Sequence, residues 1–218
     1  IFGVKSYSDL IKVDYRRMAG FSDVKRDDIV VFGFPHGDTV LKQLPTDDYY
    51  THVRFNGRQY TQRQYGPVIV RPVDKKDNYV KRCVAIAGDT LQVINGQVIV
   101  NGVPQESFSG IQNTYTVRTN GTSINSKILQ QFDISAEQVW YNKDLPGYSN
   151  LPLNEENVAK MAELANVVEV RQNIDVYPPD YPESPLMIFP FSENFKWTRD
   201  NYGPIYIPAA GDTINLSI

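Results

Sequence analysis

Asn78-Tyr79-Val80-Lys81-Arg82-Cys83-Val84-Ala85-Ile86-Ala87-Gly88-Asp89-Thr90 sets a lysine inside an otherwise apolar strand and ends it at a turn. Side chains alternate between the faces of a strand. Tyr79, Lys81, Cys83 and Ala85 therefore share one face, and Val80, Arg82, Val84 and Ile86 share the other. A ring and a thiol flank Lys81 on its own face, which predicts burial. Burial disfavours a charged ammonium and lowers a lysine pKa from its reference of about 10.4. A neutral buried lysine is a general base at neutral pH. The plainer alternative is that Lys81 and Arg82 are solvent-facing charges at a sheet edge.

The residues that follow favour the first reading. Residues 84 to 104 read Val-Ala-Ile-Ala-Gly-Asp-Thr-Leu-Gln-Val-Ile-Asn-Gly-Gln-Val-Ile-Val-Asn-Gly-Val-Pro. This stretch resembles type I signal peptidase, the membrane-anchored serine protease that removes signal peptides from exported proteins. The family's lysine motif runs Tyr-Ile-Lys-Arg, a few apolar or small residues, Gly-Leu-Pro-Gly-Asp, then a hairpin ending in Val-Asn-Gly. Tyr79, Lys81, Arg82, Gly88, Asp89, Asn101 and Gly102 match it. Upstream, Lys25-Arg26-Asp27-Asp28-Ile29-Val30-Val31-Phe32 resembles the preceding motif, Arg-Gly-Asp-Ile-Val-Val-Phe. Together the two motifs cover residues 25–35 and 68–105.

The departures are specific. Asp27 stands where the family has Gly, and Ala85 and Ala87 replace the Gly and Pro before Gly88-Asp89. The nucleophile motif, Ser-x-Ser-Met-x-Pro-Thr, and the last motif, Gly-Asp-Asn-Arg-x-x-Ser-x-Asp-Ser-Arg, do not occur. Ser6-Tyr7-Ser8-Asp9-Leu10 lacks the Met, Pro and Thr, and Ser8 reads instead as the cap of a short helix. Thr198-Arg199-Asp200-Asn201-Tyr202 lacks the Gly-Asp-Asn-Arg order. With no starting Met and no membrane segment, the expectation is an internal piece of a longer protein. Its anchor and serine would lie before Ile1, and its last motif after Ile218.

Composition sets the outer bounds. The 218 residues, 41% hydrophobic and 22% charged, suffice for one sizeable core, or one core with a smaller second domain. A net charge of −3 argues against a nucleic-acid surface. No apolar run approaches the ~20 residues that span a bilayer. Cys83, the single cysteine, reads as a small buried hydrophobe in mid-strand. His36 and His52 are too few and too ill-spaced for a zinc site, and His36 reads as an exposed turn residue. No metal and no cofactor are expected.

The expected fold is mostly β, a β-rich α+β chain: a partly open antiparallel β-barrel core with a large α+β insertion domain. Residues 1–105 would hold the catalytic core, with a polar, Tyr-rich excursion at 43–67, and 106–218 the second domain. Ile29 to Phe34 reads as a buried strand, and Val68 to Val73 as another bent at Pro72. Residues 91–94 and 97–100 flank Asn95-Gly96, a strong hairpin signal, and Asn101-Gly102 makes a second turn. Gly-Asp-Thr recurs at 37–39, 88–90 and 211–213, and each copy reads as a turn leading into a strand. Further on, Asn154 caps a helix with Glu155 and Glu156 in its first turn. Val158, Met161, Leu164, Ala165 and Val168 follow at helical spacing. Ser126 to Phe132 reads as a shorter helix, Tyr7 to Met18 as one helical turn at most, and Pro178, Pro179, Pro182 and Pro185 as a loop. Phe189, Phe191, Phe195 and Trp197 read as core of the second domain rather than a membrane-dipping surface.

The resemblance implies a Ser-Lys dyad. Lys81 would be the general base, and a serine outside this chain the nucleophile. Tyr79, Val80 and Val31 match shallow substrate-pocket walls, and Arg82, Asp28 and Asp89 would give structural support. The partners implied are signal peptides of exported preproteins and, through an anchor outside this chain, a membrane; no nucleic acid is implied. The location implied is the bacterial inner membrane, with the catalytic domain on the periplasmic side. Two other readings share the features: a non-catalytic peptide-binding module on the same barrel, and a self-cleaving repressor-type Ser-Lys protease.

Overall fold

The computed structural model describes residues 10–11, 13, 16, 18–20, 22–36, 39–72, 76–177 and 184–214. The Ser6/Ser8 stretch, the proline loop at 178–183 and most of Tyr7 to Met18 lie outside them. The chain forms two compact units. One is built from Ile1–Thr90, Phe189–Phe191 and Tyr206–Ile218, the other from Leu91–Ile188 and Ser192–Ile205.

The first unit contains β1 (Ile29–Gly33), β2 (Thr39–Leu41), α1 (Tyr49–Asn56), α2 (Arg58–Tyr65), β3 (Val68–Val70) and β4 (Asn78–Arg82). β1 pairs antiparallel with β4, and β2 with β3, as two separate ribbons. The excursion at 43–67 is a helix pair, which its polar composition hides. Asp48 starts α1 by accepting from the Tyr50 amide at 3.0 Å, the ordinary role of an N-cap carboxylate. Gly57 separates the helices at φ 78°, a backbone angle that glycine adopts without strain.

The second unit contains β5 (Thr90–Ile94), β6 (Gln97–Val100), β7 (Val103–Pro104), β8 (Asn113–Thr119), α3 (Ser126–Gln131), β9 (Tyr141–Asn142), β10 (Gly147–Leu153), α4 (Glu155–Ala162), β11 (Val167–Gln172), α5 (Ser184–Met187) and β12 (Tyr202–Tyr206). One sheet runs β12-β5-β6-β7 and the other β11-β8-β10-β9. Asn95 and Gly96 turn the β5–β6 hairpin at φ 50° and 80°, and Asn101 and Gly102 turn β6 into β7 at 53° and 79°. Paired positive angles are what a tight hairpin needs to match strand twist. A buried cluster that includes Val117, Leu129, Leu151, Leu153 and Met161 fills the space between the second sheet and its helices. Full burial of each such side chain stabilises by about 1.5–3 kcal/mol. Asn154 caps α4 by accepting from the Asn157 amide at 2.8 Å.

The chain is mostly β with a few short helices, as its sequence indicates. The sheets do not close into a barrel: among the described residues they form four separate sheets of two, four, four and two strands. Closure needs consistent tilt and stagger around a full ring of strands, which three-residue strands such as β2 and β3 do not supply. Other expectations shift. The 68–73 strand stops at Val70, two residues before Pro72, which has no amide to donate. The α4 periodicity breaks at Ala162, and Val168 lies in β11 at 66% exposure. Phe195 and Trp197 stack in the second unit at 4.4 Å while Phe189 and Phe191 meet in the first, and none of the four belongs to the buried core.

Candidate active site

Lys81 lies on the β1–β4 ribbon. Its cross-strand partner is Val30; the next rungs are Val31↔Val80 and Phe32↔Tyr79. Opposed residues in an antiparallel pair share a face. Lys81, Val30, Tyr79 and Phe32 therefore stand on one face, and Val80, Val31, Ile29 and Arg82 on the other. The sequence-predicted wall residues thus divide: Tyr79 accompanies Lys81, while Val80 meets Val31 on the opposite face.

The ribbon is open. Every residue of β4 is exposed, and in β1 only Val30 is half-buried. Ile29 and Val31 are each 68% exposed and Val80 60%. Both the expected burial of Lys81 and the expected buried strand at 29–34 are corrected here. The apolar run is real, but a two-stranded sheet buries its faces only if something covers them.

Local bonds fix the two ends of the ribbon. Past Arg82 the pairing continues through the Asp27 amide, which donates to the Cys83 carbonyl at 2.7 Å, and the Cys83 amide, which donates to Asp28 at 2.8 Å. Arg82 Nη1 donates to the Asp27 carbonyl at 2.7 Å. Asp27 itself has φ 72°, the left-handed region that favours glycine. The family's glycine at this position meets that requirement without strain, and aspartate is among the few other residues that tolerate it. Cys83 sits just past the strand, half-buried, its thiol donating to Ala85 O at 3.3 Å.

Asp89 is the buried charge of the site, 4% exposed. It accepts from Arg26 through Nε at 2.8 Å and through Nη2 in a second bond, and from the Ile86 amide at 2.8 Å. The bonds that Arg26 donates to Asp89 raise the guanidinium pKa above its usual value, against the opposing effect of desolvation. Arg26 is the partner that sequence reasoning did not single out. Its signal was the arginine of the Arg-Gly-Asp motif, but the sequence could not show that it reaches Asp89 rather than the adjacent aspartates.

The same turn recurs. Asp28, Asp89 and Asp212 each accept from the amide three residues before, on Lys25, Ile86 and Ala209, at 2.8, 2.8 and 2.7 Å. Gly88 and Gly211 precede the latter two at φ 90° and 94°. At 88–90 and 211–213 the recurring Gly-Asp-Thr is thus turn chemistry, while Gly37 and Asp38 of the first copy lie outside the described residues. Thr39 and Thr90 begin β2 and β5, whereas no strand begins at Thr213 among the described residues.

Beyond Tyr79 the Lys81 face continues in rings. Tyr79 stacks on Phe34 at 4.9 Å, Phe34 meets His36 at 5.8 Å, and His36 meets Tyr50 of α1 at 5.1 Å. His36 is half-buried, not an exposed turn residue, with Nδ1 3.4 Å from Asp48. Among the described residues, no group of His, Cys, Asp or Glu is arranged to hold a metal, and no helix is long and apolar enough to cross a membrane.

Comparison with curated proteins and with solved structures gives no match. A family model described as signal peptidase, peptidase S26, matches residues 5–160.

Proposed function

This chain belongs to the signal peptidase family, peptidase S26, a family of serine peptidases, and we propose that Lys81 is the general base with which it removes signal peptides from exported preproteins. The observation that carries the reading is the position of Lys81 on an open ribbon, flanked by both motif turns, one of them closed by the Arg26–Asp89 pair. The nucleophile is a serine outside residues 1–218. Lys81 takes the proton from that hydroxyl as the oxygen attacks the scissile carbonyl carbon. It gives the proton to the leaving amine as the C–N bond breaks. It then takes a proton from the water that hydrolyses the acyl-enzyme.

A lysine acts as a base only after losing its proton, and burial favours that loss. On an exposed ribbon the cover comes from the substrate itself, lying extended beside residues 78–82 as an added strand. Tyr79 on the Lys81 face, and Val80 with Val31 on the other, contribute shallow apolar walls that admit alanine-sized side chains. Arg82, Asp28 and Asp89 support the base by holding the ribbon ends. Residues 1–105 form the catalytic core and 106–218 an insertion without catalytic residues. The full-length enzyme is anchored in the bacterial inner membrane and acts on its periplasmic side.

The test is preprotein cleavage by the full-length protein in detergent, native against Lys81→Met. Cleavage after a small-x-small site that the folded variant loses supports the assignment. Equal cleavage by both removes Lys81 as base. No cleavage of any preprotein by either favours a peptide-binding module, a reading to which the exposure of Lys81 lends some weight.

A further inference from the structure

The helix pair of the first unit has a charge opposite to that of the chain. From Tyr49 to Arg71 there are four arginines, at 54, 58, 63 and 71, and no aspartate or glutamate, in a chain whose net charge is −3. Two of the four are engaged. The Arg54 guanidinium lies over the Phe191 ring at 3.6 Å, and Arg71 Nη2 donates to the Pro45 carbonyl at 2.6 Å. Arg58 and Arg63 stand exposed and form no ion pair among the described residues. The nearest acids in sequence, Asp47 and Asp48, lie at the start of α1. Eight helical residues, about 12 Å, separate them from the α1–α2 junction, and each faces a histidine instead.

The two arginines are interleaved with rings. Residues 55–60 form an unbroken exposed run where α1 gives way to α2, and 62–64 continue it. Phe55 is 38% exposed and Tyr60 56%. Tyr60 and Arg63 are three apart on α2, so they are neighbours on one face. With Asn56, Gly57, Arg58 and Gln59 they line an open cleft of about 500 Å³. Its side chains offer guanidinium, amide and phenol donors and no carboxylate.

We propose that the tip of the α1–α2 pair docks on a bilayer surface that contains anionic phospholipid, with Arg58 and Arg63 on the headgroup phosphates and Phe55 and Tyr60 at the interface. Charge selects the partner. Cationic side chains are drawn to an anionic leaflet within a Debye length of it, and aromatic rings favour the headgroup level. A cleft walled by donors, with no carboxylate, accepts a phosphate without repulsion. Size favours a lipid surface over a folded protein. The nine exposed residues at 55–60 and 62–64 are fewer than half of the roughly 20–30 that one side of a stable protein interface uses. A bilayer presents many headgroups at once and needs no matching shape. The proposal is independent of the reading of Lys81. It also goes beyond an anchor outside this chain, because it assigns a membrane contact to residues of the first unit itself.

The experiment follows amide exchange by mass spectrometry in the full-length protein held in lipid nanodiscs. One set of discs is phosphatidylcholine alone; the other mixes it about two to one with anionic phosphatidylglycerol. The first amides of a helix have no partner within it, so residues 58–60 report contact at the tip. Each arginine near an anionic surface contributes about a factor of five. Phosphatidylglycerol should therefore slow exchange over 55–60 by roughly five- to twentyfold in the native protein. Arg58→Gln combined with Arg63→Gln should remove most of that slowing, as should raising the salt to about 1 M, where the screening length falls to about 3 Å. Equal exchange in the two kinds of disc overturns the proposal. So does equal slowing in both, which makes the contact indifferent to charge, or slowing that persists in the glutamine variant. Inorganic phosphate or polyglutamate that slows the tip in phosphatidylcholine discs as much as phosphatidylglycerol does would replace the membrane with a soluble anion or an acidic protein. The comparison of discs on the native protein stands without any variant. Preprotein cleavage is scored separately, and its loss bears on Lys81 and not on the tip.

Discussion

Removing the Asp89 carboxylate tests whether the turn after β4 is held by one buried side chain. Asp89→Ala deletes the acceptor for the Ile86 amide and both bonds from Arg26. The Asp89 side chain is 5% exposed and that of Arg26 42%. Arg26 can therefore turn to water, so the loss on its side is small. The Ile86 amide sits in a part-buried turn, and leaving it unsatisfied costs about 1–3 kcal/mol. The expected loss is about 1–3 kcal/mol, carried mainly by the Ile86 amide. Arg26→Ala should cost less, and the double variant less than the sum, since both singles break the same bonds. The two tryptophans, Trp140 and Trp197, lie in the other unit, so tryptophan fluorescence is blind to this turn. Urea unfolding followed by far-UV circular dichroism, with hydrogen exchange at the Ile86 amide, reports it. A loss below about 0.5 kcal/mol with Ile86 still protected would refute the account, as would strict additivity of the two singles.

Asp27→Gly should stabilise by up to about 1 kcal/mol, because glycine accepts φ 72° without strain, while a β-branched Asp27→Val should destabilise; urea midpoints decide, and equal effects would show that the angle is not the constraint. Asp48 gives a pH dependence. Burial raises its pKa, but the bonds from Thr51, the Tyr50 amide and His36 outweigh that and hold the carboxyl below its ordinary value. A group depressed in the folded state contributes stability that is present above its unfolded pKa and lost as pH falls through the folded one. The α1 cap should therefore be intact above about pH 4 and weaken below it, read as growing amide exchange over 49–56. Asp48→Ala should cost about 1 kcal/mol at neutral pH and remove that pH dependence.

Local chemistry was legible wherever neighbours in sequence settle it. The Asn95-Gly96 hairpin, the Asn154 cap and the aspartate turns depend on contacts within a few residues, and residue type suffices to place them. The helix pair at 49–65 was missed because its apolar residues are few and its helices meet through polar residues, His52 against Tyr65 and the Thr61 hydroxyl on the His52 carbonyl; only Asp48 signalled it. The open ribbon was misread for the opposite reason. Ile29-Val30-Val31-Phe32 has the composition of a buried strand, yet whether a strand is covered depends on which elements pack upon it, and no local pattern records that.

By itself the sequence determined the family, from two motifs in fixed order, and placed Lys81 on a strand between two glycine- and aspartate-dependent turns. Those follow from residue identity and spacing, which act over a few bonds. The tertiary structure alone decided three things. Lys81 faces solvent with Tyr79 while Val80 and Val31 take the other side. Arg26, sixty-three positions away, is the partner of Asp89. The rings of Phe34, His36 and Tyr50 line up beyond the lysine. Each depends on strand register and on which distant segments meet, and register is a property of paired chains rather than of either strand alone.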